Sequence, residues 1–398
     1  MKKKIMIIGA GDYQLPGIRE AKEMGFTTIA TDKDPNTAGL KIADIPYVLD
    51  VVDIPNSIKI AKKNDIDGVM TIASDITLPT VAAVAEELGL PGLSRKVVGI
   101  ATNKALMRET YREHGDPSPE FYSASTLEGI IQAAEKIGYP VVVKPVDNAG
   151  SRGVTTVETK KELAHAYALA QEYSRCHKII VEGFIEGIEC TIEGMSYNGC
   201  TEILAISEKK KPDGYYRVAT DLTYPPHFSM EIIDEIKRVV IHAIESMGIT
   251  FGATHSEVIV TPDSSVILVE IAARGGGFGI FSEVIPLVSG VNAIKETIHM
   301  TIGERPDIEA KYQRSVVLRF FAPPPGRLLA ILGLDKVETI PNTKMGLYKK
   351  IGDTIKPLAT DGDRTGYILA WGKTRSDSIR AADAVEKTVK FVTETVSG

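Results

Sequence analysis

Two glutamates in the segment 255–277, HSEVIVTPDSSVILVEIAARGGG, have the spacing of a metal or phosphate site. The segment consists of two Val- and Ile-rich stretches joined by a turn, which is typical of a β-hairpin. A hairpin folded symmetrically about 263–264 places Glu257 directly opposite Glu270. Like charges in such positions destabilise a sheet, and a hard divalent cation bound by both carboxylates would offset that cost. The alternative is a surface hairpin whose acids face water.

The residues around this acid pair suit phosphate chemistry. Arg274 lies two pleats beyond Glu270 and would share its face on an unbroken strand. The glycine run 275–277 lets a backbone come close to a ligand. His255 shares the face of Glu257, and it either orients a substrate or is an ordinary strand histidine. Two acids and an arginine together favour a phosphate-transfer site.

Lysines elsewhere could meet the phosphates. Lys144 ends an apolar strand and precedes a Gly/Ser loop at 148–153, whose N–H groups can form an anion-binding concavity. The alternative is a flexible hairpin tip. Lys104 falls in the first turn of a helix, where the macrodipole disfavours a cation unless an anion binds there. Its alternative is a solvated lysine, and the lysine run 209–211 is typical of a solvated loop.

The segment 179–194, IIVEGFIEGIECTIEG, could bind a nucleoside. A strand that runs into a glycine-containing connector exposes backbone groups to a flat heterocycle, here near Glu182 and Phe184. Glu189 can accept hydrogen bonds from sugar hydroxyls. The nearby acids Glu186 and Glu193 include ordinary surface charges.

Bulk composition narrows the class of protein. With 398 residues the chain is long enough for two or three domains. A net charge of −6 argues against a nucleic-acid partner. Its apolar runs are shorter than the ~18 residues of a membrane span. The three cysteines lack the spacing of a disulfide framework, so we expect a cytoplasmic enzyme.

Strand and helix patterns alternate over residues 1–97, which predicts a doubly wound parallel sheet. The glycine turn 9–11 and Asp32 form half of a dinucleotide-binding fingerprint, but the third glycine is replaced by Gln14. The turn therefore either binds a cofactor or only closes a strand tightly. After a later strand come Ser74 and Asp75, at the sheet edge where open α/β sheets bind ligands.

Residues beyond 97 predict an α+β arrangement. Short strands separated by glycine-rich loops follow a helix near Thr102, a strand pattern occupies 315–323, and a final helix is predicted over 376–395. We place the domain boundaries near 97 and 306, which divides the chain into 1–97, 98–306 and 307–398.

Taken in order, these segments resemble the ATP-grasp superfamily over almost the whole chain. The run EIAARGGG, which begins at Glu270, is more similar to the L-amino-acid ligase branch than to biotin carboxylase. The tail around GLYKKIGDTIKPLATDGDRTGYILAWGK is similar to the C-terminal region of the amino-acid-ligase and carboxylase branches. The resemblance implies an α/β protein with an N-terminal doubly wound parallel-sheet domain, a central ATP-grasp α+β domain and a smaller C-terminal α+β domain. It also implies the homodimers common among such proteins.

Site roles follow from the same resemblance. Lys104 and Lys144 would contact ATP phosphates under a loop formed by Ser151 and its neighbours. Adenine would bind at Glu182 and the backbone near Phe184, and ribose at Glu189. Mg²⁺, with Mn²⁺ as the alternative, would be bound by Glu257 and Glu270. Arg274 would stabilise the charge that develops during transfer, with Glu270 and Lys144 as its catalytic partners. Many members have an Asn where this chain has Ala272, so binding of a second metal ion is not implied.

The implied activity is an ATP-dependent carboxylate–amine ligase that passes through an acyl phosphate. Its substrates would be a small carboxylate and a small amine, contacted by Ser74, Asp75, His255, Arg274 and the loop 216–224. One alternative is a purine-pathway ATP-grasp enzyme, such as a phosphoribosylglycinamide synthetase or a carboxylase. Others are a non-catalytic ATP-binding protein and an NAD-dependent oxidoreductase using the glycine turn, which would leave Lys144 and the acid pair unexplained.

Overall fold

The chain begins with a four-stranded parallel sheet in the order β3-β2-β1-β4. The computed structural model describes residues 2–211 and 218–394. Alternate residues of β1 pack into different apolar clusters, so both faces of the sheet are covered as predicted. The strands are β1 (Lys4–Ile8), β2 (Thr27–Asp32), β3 (Ile45–Val48) and β4 (Gly68–Met70). The helices are α1 (Leu15–Glu23), α2 (Ala38–Ile42), α3 (Ile54–Asn64), α4 (Leu78–Leu88) and α5 (Arg95–Ala101).

Asp32 supports the glycine turn after β1. Its Oδ2 accepts a hydrogen bond from the N–H of Ala10 at 2.9 Å, and its Oδ1 accepts one from the N–H of Asp34 at 3.1 Å. Gly9 has a φ of 93°, which is a left-handed conformation that glycine adopts without strain. Both carboxylate oxygens therefore stabilise the turn itself, which favours the structural interpretation of this half-fingerprint.

A second, antiparallel sheet has the order β5-β8-β6-β7. Its strands are β5 (Phe121–Ala124), β6 (Val141–Pro145), β7 (Thr155–Val157) and β8 (Ile179–Gly183). The helices of this region are α6 (Lys104–His114), α7 (Leu127–Ile137) and α8 (Leu163–Tyr173). Helix α6 begins where it does because the Asn103 side chain accepts hydrogen bonds from the N–H groups of Ala105 and Leu106, at 3.0 and 3.3 Å.

The largest sheet has eight strands in the order β13-β12-β9-β10-β11-β14-β18-β16, and a three-stranded sheet has the order β17-β15-β19. The strands are β9 (Ile188–Tyr197), β10 (Cys200–Lys210), β11 (Asp221–Tyr224), β12 (Phe251–Val260), β13 (Val266–Ala272), β14 (Ser315–Phe320), β15 (Gly326–Leu332), β16 (Thr343–Leu347), β17 (Thr354–Ile355), β18 (Gly366–Gly372) and β19 (Lys390–Glu394). The helices are α9 (Met230–Ser246), α10 (Ile285–Ser289), α11 (Ala293–Thr301), α12 (Leu334–Val337) and α13 (Arg375–Thr388). The eight-stranded sheet thus continues across residue 306, so the proposed central and C-terminal units share it.

The principal core lies between this sheet and the helices α6 and α9. Met107 and Tyr111 of α6 pack there against Ile244 of α9 and against Val258 and Leu268 of the hairpin. The core therefore presses α6 onto the strands that carry the two acids. Every helix of the described ranges is too short or too polar to cross a membrane.

One predicted element is wrong. The final helix ends at Thr388, and β19 follows and pairs with β15. The residues of β19, KFVTE, include Phe, Val and Thr, which favour a strand once a partner is present. That partner lies about sixty residues earlier in the chain, beyond the reach of a local pattern. The predicted end of the helix at Thr395 is outside the described residues.

Candidate active site

Glu257 and Glu270 lie directly opposite each other on β12 and β13, as predicted. The route to this pairing was not predicted. Near the turn the register joins Val260 to Val266 and Val258 to Leu268, and it then shifts. Val269 is the extra residue of a β-bulge. If the register near the turn continued unchanged, Glu257 would face Val269 instead of Glu270. The bulge therefore brings the two acids to one face.

Each acid of this pair has its own lysine. Lys104 Nζ donates to Oε1 of Glu270 at 2.8 Å, and also to the carbonyl of Asn148 at 2.9 Å. Lys209 Nζ donates to Glu257. Burial alone would raise the pKa of Glu257, but Lys209 and His255 lower it well below its usual value. The two lysines therefore offset the repulsion between the carboxylates on this face of the sheet.

Lys209 also connects the acid pair to the predicted ribose carboxylate. Its Nζ donates to Oε1 of Glu189 at 2.7 Å, and Lys211 donates to the other oxygen of Glu189. The two lysines are two residues apart on one side of the chain, whereas Lys210 between them is exposed. Interpreting the run 209–211 as a solvated loop was therefore wrong for Lys209 and Lys211.

Glu182 is buried and shared by two cations. Lys144 Nζ lies 2.6 Å from Oε2 of Glu182, and Nε of Arg108 lies 3.0 Å from Oε1. Burial would raise the pKa of Glu182, but Arg108 and Lys144 lower it. Burial lowers the pKa of Lys144 against the effect of Glu182, and Arg108 and Lys104 lower it further. By formal charge, these three side chains carry two positive charges against one negative charge.

Arg274 forms a two-pronged ion pair with Asp75 of the first sheet. Its Nε donates to Oδ1 of Asp75 at 3.1 Å and its Nη2 donates to Oδ2 at 2.8 Å. Burial lowers the pKa of Arg274, but Asp75 and other acids raise it above its usual value. Ser74 lies next to Asp75, and its carbonyl accepts a hydrogen bond from the Thr77 hydroxyl. The structure thus brings Asp75, a substrate candidate, against the predicted catalytic arginine.

His255 pairs with Glu193 of the neighbouring strand. Its Nδ1 lies 2.5 Å from Oε1 of Glu193, and its Nε2 lies 3.8 Å from Oε1 of Glu257. Burial would lower the pKa of His255, but Glu193 and Glu257 raise it to about 9. His255 is therefore protonated at neutral pH. Glu193 is fully buried, so it is not a surface charge.

The loop after Lys144, predicted to bind phosphate, contains three residues in left-handed backbone conformations. Gly150, Ser151 and Gly153 have φ values of 71°, 59° and 72°, and Ser151 is exposed at the tip. The Asn148 carbonyl at the base of the loop accepts from Lys104, as noted above. In the predicted adenine segment the N–H of Phe184 donates to the carbonyl of Pro140 at 3.2 Å. Lys104 therefore links this loop to Glu270.

Two glycines of the run 275–277 accommodate the protein itself. A Cβ on Gly275 would lie 2.2 Å from Cγ of Phe281, and one on Gly276 would lie 2.8 Å from a carbon of Ile280. At Gly277 the nearest atom would be 3.8 Å away, in the ring of Tyr13. The sequence predicted that a ligand would approach these glycines closely. At Gly275 and Gly276, side chains of the protein itself occupy that space.

The residues near the hairpin supply some, but not all, of the ligands that a hard cation needs. Glu257 and Glu270 supply carboxylate oxygens, which such cations prefer. Ala272 supplies none, and the described residues contain no group of three or more His, Cys, Asp or Glu side chains placed around one metal position. The pair fits an ion that takes its remaining ligands from a substrate and water, as Mg²⁺ commonly does.

Comparisons with known proteins identify two domains in the chain. A model of the ATP-grasp domain matches residues 137–282, and a model of the L-amino acid ligase C-terminal domain 2 matches residues 319–394. The chain has an ATP-grasp domain followed by an L-amino acid ligase C-terminal domain. It is an ATP-grasp ligase similar to the L-amino-acid ligases.

Individual ATP-grasp relatives match nearly the whole chain. The L-amino acid ligase from Bacillus licheniformis is 23% identical, with a TM-score of 0.86 and 99% of each chain covered. The phosphoribosylglycinamide synthetase from Anaerococcus prevotii is 22% identical, with a TM-score of 0.78 and coverage of 99% of this chain and 100% of that one. A formate-dependent phosphoribosylglycinamide formyltransferase from Prochlorococcus marinus is 24% identical over 98% of this chain and 99% of its own. At these identities the two solved structures show a shared fold.

Sequence reasoning missed three charged residues of this ATP-grasp site, namely Arg108, Glu193 and Lys209. Arg108 lies four residues after Lys104, and that spacing places both on one face of α6. Lys209 could have been found from the alternation of a strand extended to Lys210. No local sequence pattern indicated a role for Glu193, because its partner His255 lies on another strand, 62 residues away.

Proposed function

We propose that the chain is an ATP-dependent carboxylate–amine ligase that forms an amide or peptide bond through an acyl phosphate and releases ADP and phosphate. The observation that carries this proposal is the acid pair. Glu257 and Glu270 face each other beside Arg274, and each has a lysine in contact. Phosphoryl transfer depends on positioning and on charge stabilisation, which such a set of residues supplies.

Lys104 and Lys144 would bind the ATP phosphates, with the loop around Ser151 folding over the β- and γ-phosphates. The excess positive charge at Lys144 supports this assignment, because a buried charge without a counter-charge is costly until an anion arrives. Glu182 and the backbone near Phe184 would contact adenine. Oε1 of Glu182 is buried and lies 3.0 Å from Nε of Arg108, and a carboxylate oxygen with one such neighbour can accept a further donor. Glu189 would accept from the ribose hydroxyls.

Glu257 and Glu270 would hold Mg²⁺, or Mn²⁺ in its place. When bound, the ion would neutralise charge on the phosphate oxygens. Lys104 and Lys209 contact these same two carboxylates, so they would shift towards the phosphates as the ion approaches. Ala272 adds no ligand, which favours one ion over two.

The reaction would proceed in two displacements. An oxygen of the substrate carboxylate attacks the γ-phosphorus, the bond to the β–γ bridging oxygen breaks, and ADP leaves with that electron pair. An amine nitrogen then attacks the acyl carbon, loses a proton and expels inorganic phosphate. Arg274 would stabilise the negative charge on the phosphoryl group and on the tetrahedral adduct, while Asp75 fixes the plane of its guanidinium.

The substrates would bind between the first sheet and the hairpin. Ser74 and Asp75 lie at that junction beside Arg274, and the protonated His255 lies on the hairpin face. A cationic imidazolium suits a carboxylate, and Asp75 suits an ammonium group. In the candidate loop 216–224, Tyr216 falls outside the described residues, whereas Tyr224 is buried in β11.

The homodimer implied by the family resemblance remains a prediction.

One alternative has specific support. The formyltransferase relative matches 98% of this chain, so a purine-pathway substrate would use the same ATP site with a phosphorylated acceptor. A non-catalytic ATP-binding protein is the second alternative, because Ala272 stands where many members have a metal ligand.

The test is release of ADP and phosphate from Mg-ATP in the presence of amino acids, singly and in pairs. Release that requires a pair, with a product mass equal to the two amino acids minus water, is the expected result. Release that requires a phosphoribosyl amine, and no amino acid, would support the purine-pathway alternative. Nucleotide binding without turnover on either panel would support the non-catalytic protein.

A further inference from the structure

Arg108 is a fully buried arginine that touches both halves of the nucleotide site. Its Nη2 donates to the carbonyl of Val269 at 2.6 Å, and its Nε lies 3.0 Å from Oε1 of Glu182. The first contact reaches the acid hairpin and the second reaches the small sheet. Nothing in the proposed reaction needs Arg108 to touch a substrate.

The contact with Val269 falls on the bulge that aligns the acid pair. The extra residue of a bulge leaves the ladder locally disrupted, so its backbone groups need partners from elsewhere. Arg108 provides one for the Val269 carbonyl. Glu270 is the next residue and is held by Lys104, one helical turn before Arg108. Helix α6 therefore secures two consecutive residues of β13.

The contact of Arg108 with Glu182 determines whether Lys144 is the only cation that neutralises this carboxylate. Glu182 has one negative charge, and both Arg108 and Lys144 lie against it. Without Arg108, Lys144 would be the sole counter-ion of a carboxylate that is almost fully buried, and its charge would be fully engaged. With Arg108 present, the pocket keeps one positive charge for an incoming anion.

We propose that Arg108 is a positioning residue that neutralises Glu182, so that Lys144 is free for phosphate, and that holds the Val269 bulge, so that Glu270 meets Glu257. The proposal rests on the proposed nucleotide site, not on the identity of the carboxylate or amine. It predicts two separable effects, one on nucleotide affinity and one on the metal requirement.

The test compares Arg108→Met with Arg112→Met. Arg112 is one turn further along α6, is exposed and stacks on Phe121 at 5.1 Å, so it matches in residue type and helix. Calorimetry measures ADP affinity in EDTA and again as Mg²⁺ is titrated. We expect Arg108→Met to weaken ADP binding in EDTA and to raise the Mg²⁺ half-saturation by about 10–100-fold, the range for residues that support metal ligands. Arg112→Met should change neither value.

A double variant distinguishes a positioning role of Arg108 from a general loss of structure. In Arg108→Met/Glu182→Gln the carboxylate that captures Lys144 is gone, so ADP affinity in EDTA should recover towards that of Glu182→Gln alone. The raised Mg²⁺ half-saturation should persist, because the Val269 carbonyl still lacks its donor. A merely structural role would show no such partial rescue.

If Arg108→Met does not fold, Arg108→Lys takes its place; lysine keeps the charge but cannot contact Glu182 and Val269 together through a planar fork, so here only the Mg²⁺ half-saturation is expected to rise. Unchanged ADP affinity and Mg²⁺ half-saturation in a folded Arg108 variant would overturn the proposal. So would recovery of both values in the double variant. A wild-type protein that binds Mg-ADP but joins no amino acids would contradict the proposed ligase and leave this inference standing. A wild-type protein that binds no ADP would overturn both.

Discussion

At the scale of single residues, three acids of the candidate site are each paired with a lysine that a ligand could also use. Lys104 contacts Glu270, Lys209 contacts Glu257, and Lys144 contacts Glu182. Such pairs hold the carboxylate side chains in place before a ligand arrives. In the proposed reaction, Lys104 and Lys209 would exchange these carboxylates for phosphate oxygens when the metal ion binds.

Glu270→Gln should abolish turnover while ADP binding survives. The substitution keeps the shape but removes one of the two charges that would hold the metal ion, so we expect kcat to fall by at least about 100-fold. Phosphate release measures the first effect and calorimetry with ADP in EDTA measures the second. Glu186→Gln, an exposed acid of the nucleotide segment, is the control. Unchanged turnover in Glu270→Gln would remove the metal hypothesis.

His255 should stabilise the fold in a pH-dependent way. Its folded pKa is about 9, against 6.5 when unperturbed, so the protonated form is favoured by folding. The stabilisation is complete below pH 6.5 and is lost as the pH rises through 9. The Tm difference between wild type and His255→Gln, without nucleotide or divalent cation, should therefore shrink from pH 6.5 to pH 9.5. A constant difference would contradict this.

At the scale of elements, helix α6 and the hairpin form one unit. Lys104 and Arg108 reach the hairpin at Glu270 and Val269. After the hairpin, the glycine run packs closely against other parts of the site. Phe281 packs against Gly275, and His255 lies beside Gly276. Arg274 sits between these two packed segments. Its position therefore depends on the glycines that follow it.

Gly275→Ala should lower both stability and kcat. The added Cβ would meet the Phe281 ring at 2.2 Å, and overpacking of this kind costs about 1–3 kcal/mol. The backbone shift that relieves it would displace Arg274. Gly277→Ala is the matched control, because nothing lies closer than 3.8 Å to its Cβ. Thermal unfolding and phosphate release measure the two effects, and equal behaviour of both variants would refute the packing argument.

At the scale of the whole molecule, the site lies where the first sheet meets the large sheet. Asp75 follows β4, Arg274 follows β13, and their ion pair joins the two regions. A backbone bond beside it, from the N–H of Gly275 to the carbonyl of Ile72 at 3.1 Å, ties the same segments together. The first sheet therefore contributes Asp75 to the proposed active site.

Asp75→Asn should impair the reaction and spare the nucleotide. Arg274 would lose its charged partner, and a hydrogen bond to a charged group contributes on the order of 1.5–3 kcal/mol. We expect kcat to fall at least about tenfold, because the guanidinium is no longer held in one plane. ADP affinity should stay within about twofold, since the proposed nucleotide contacts lie on other segments. A large loss of ADP affinity would show that the first sheet helps to bind the nucleotide.

The sequence by itself determined the features that local periodicity encodes. Helices over Ile54–Asn64 and Leu78–Leu88 end where predicted, and the hairpin that carries Glu257 and Glu270 forms where its two apolar stretches predict it. The order of the lysine, glycine and acid segments was sufficient to recognise the ATP-grasp family. These are properties of neighbouring residues, which a strand or helix period relates directly.

Only the tertiary structure decided how these parts are held. The Val269 bulge, the sharing of Glu182 by Arg108 and Lys144, the pairing of Asp75 with Arg274 and the strand β19 each depend on contacts distant in sequence. Arg108 and Val269 are 161 residues apart, and Asp75 and Arg274 are 199 apart. No local pattern relates residues at such separations, because their proximity follows from the packing of whole sheets and helices.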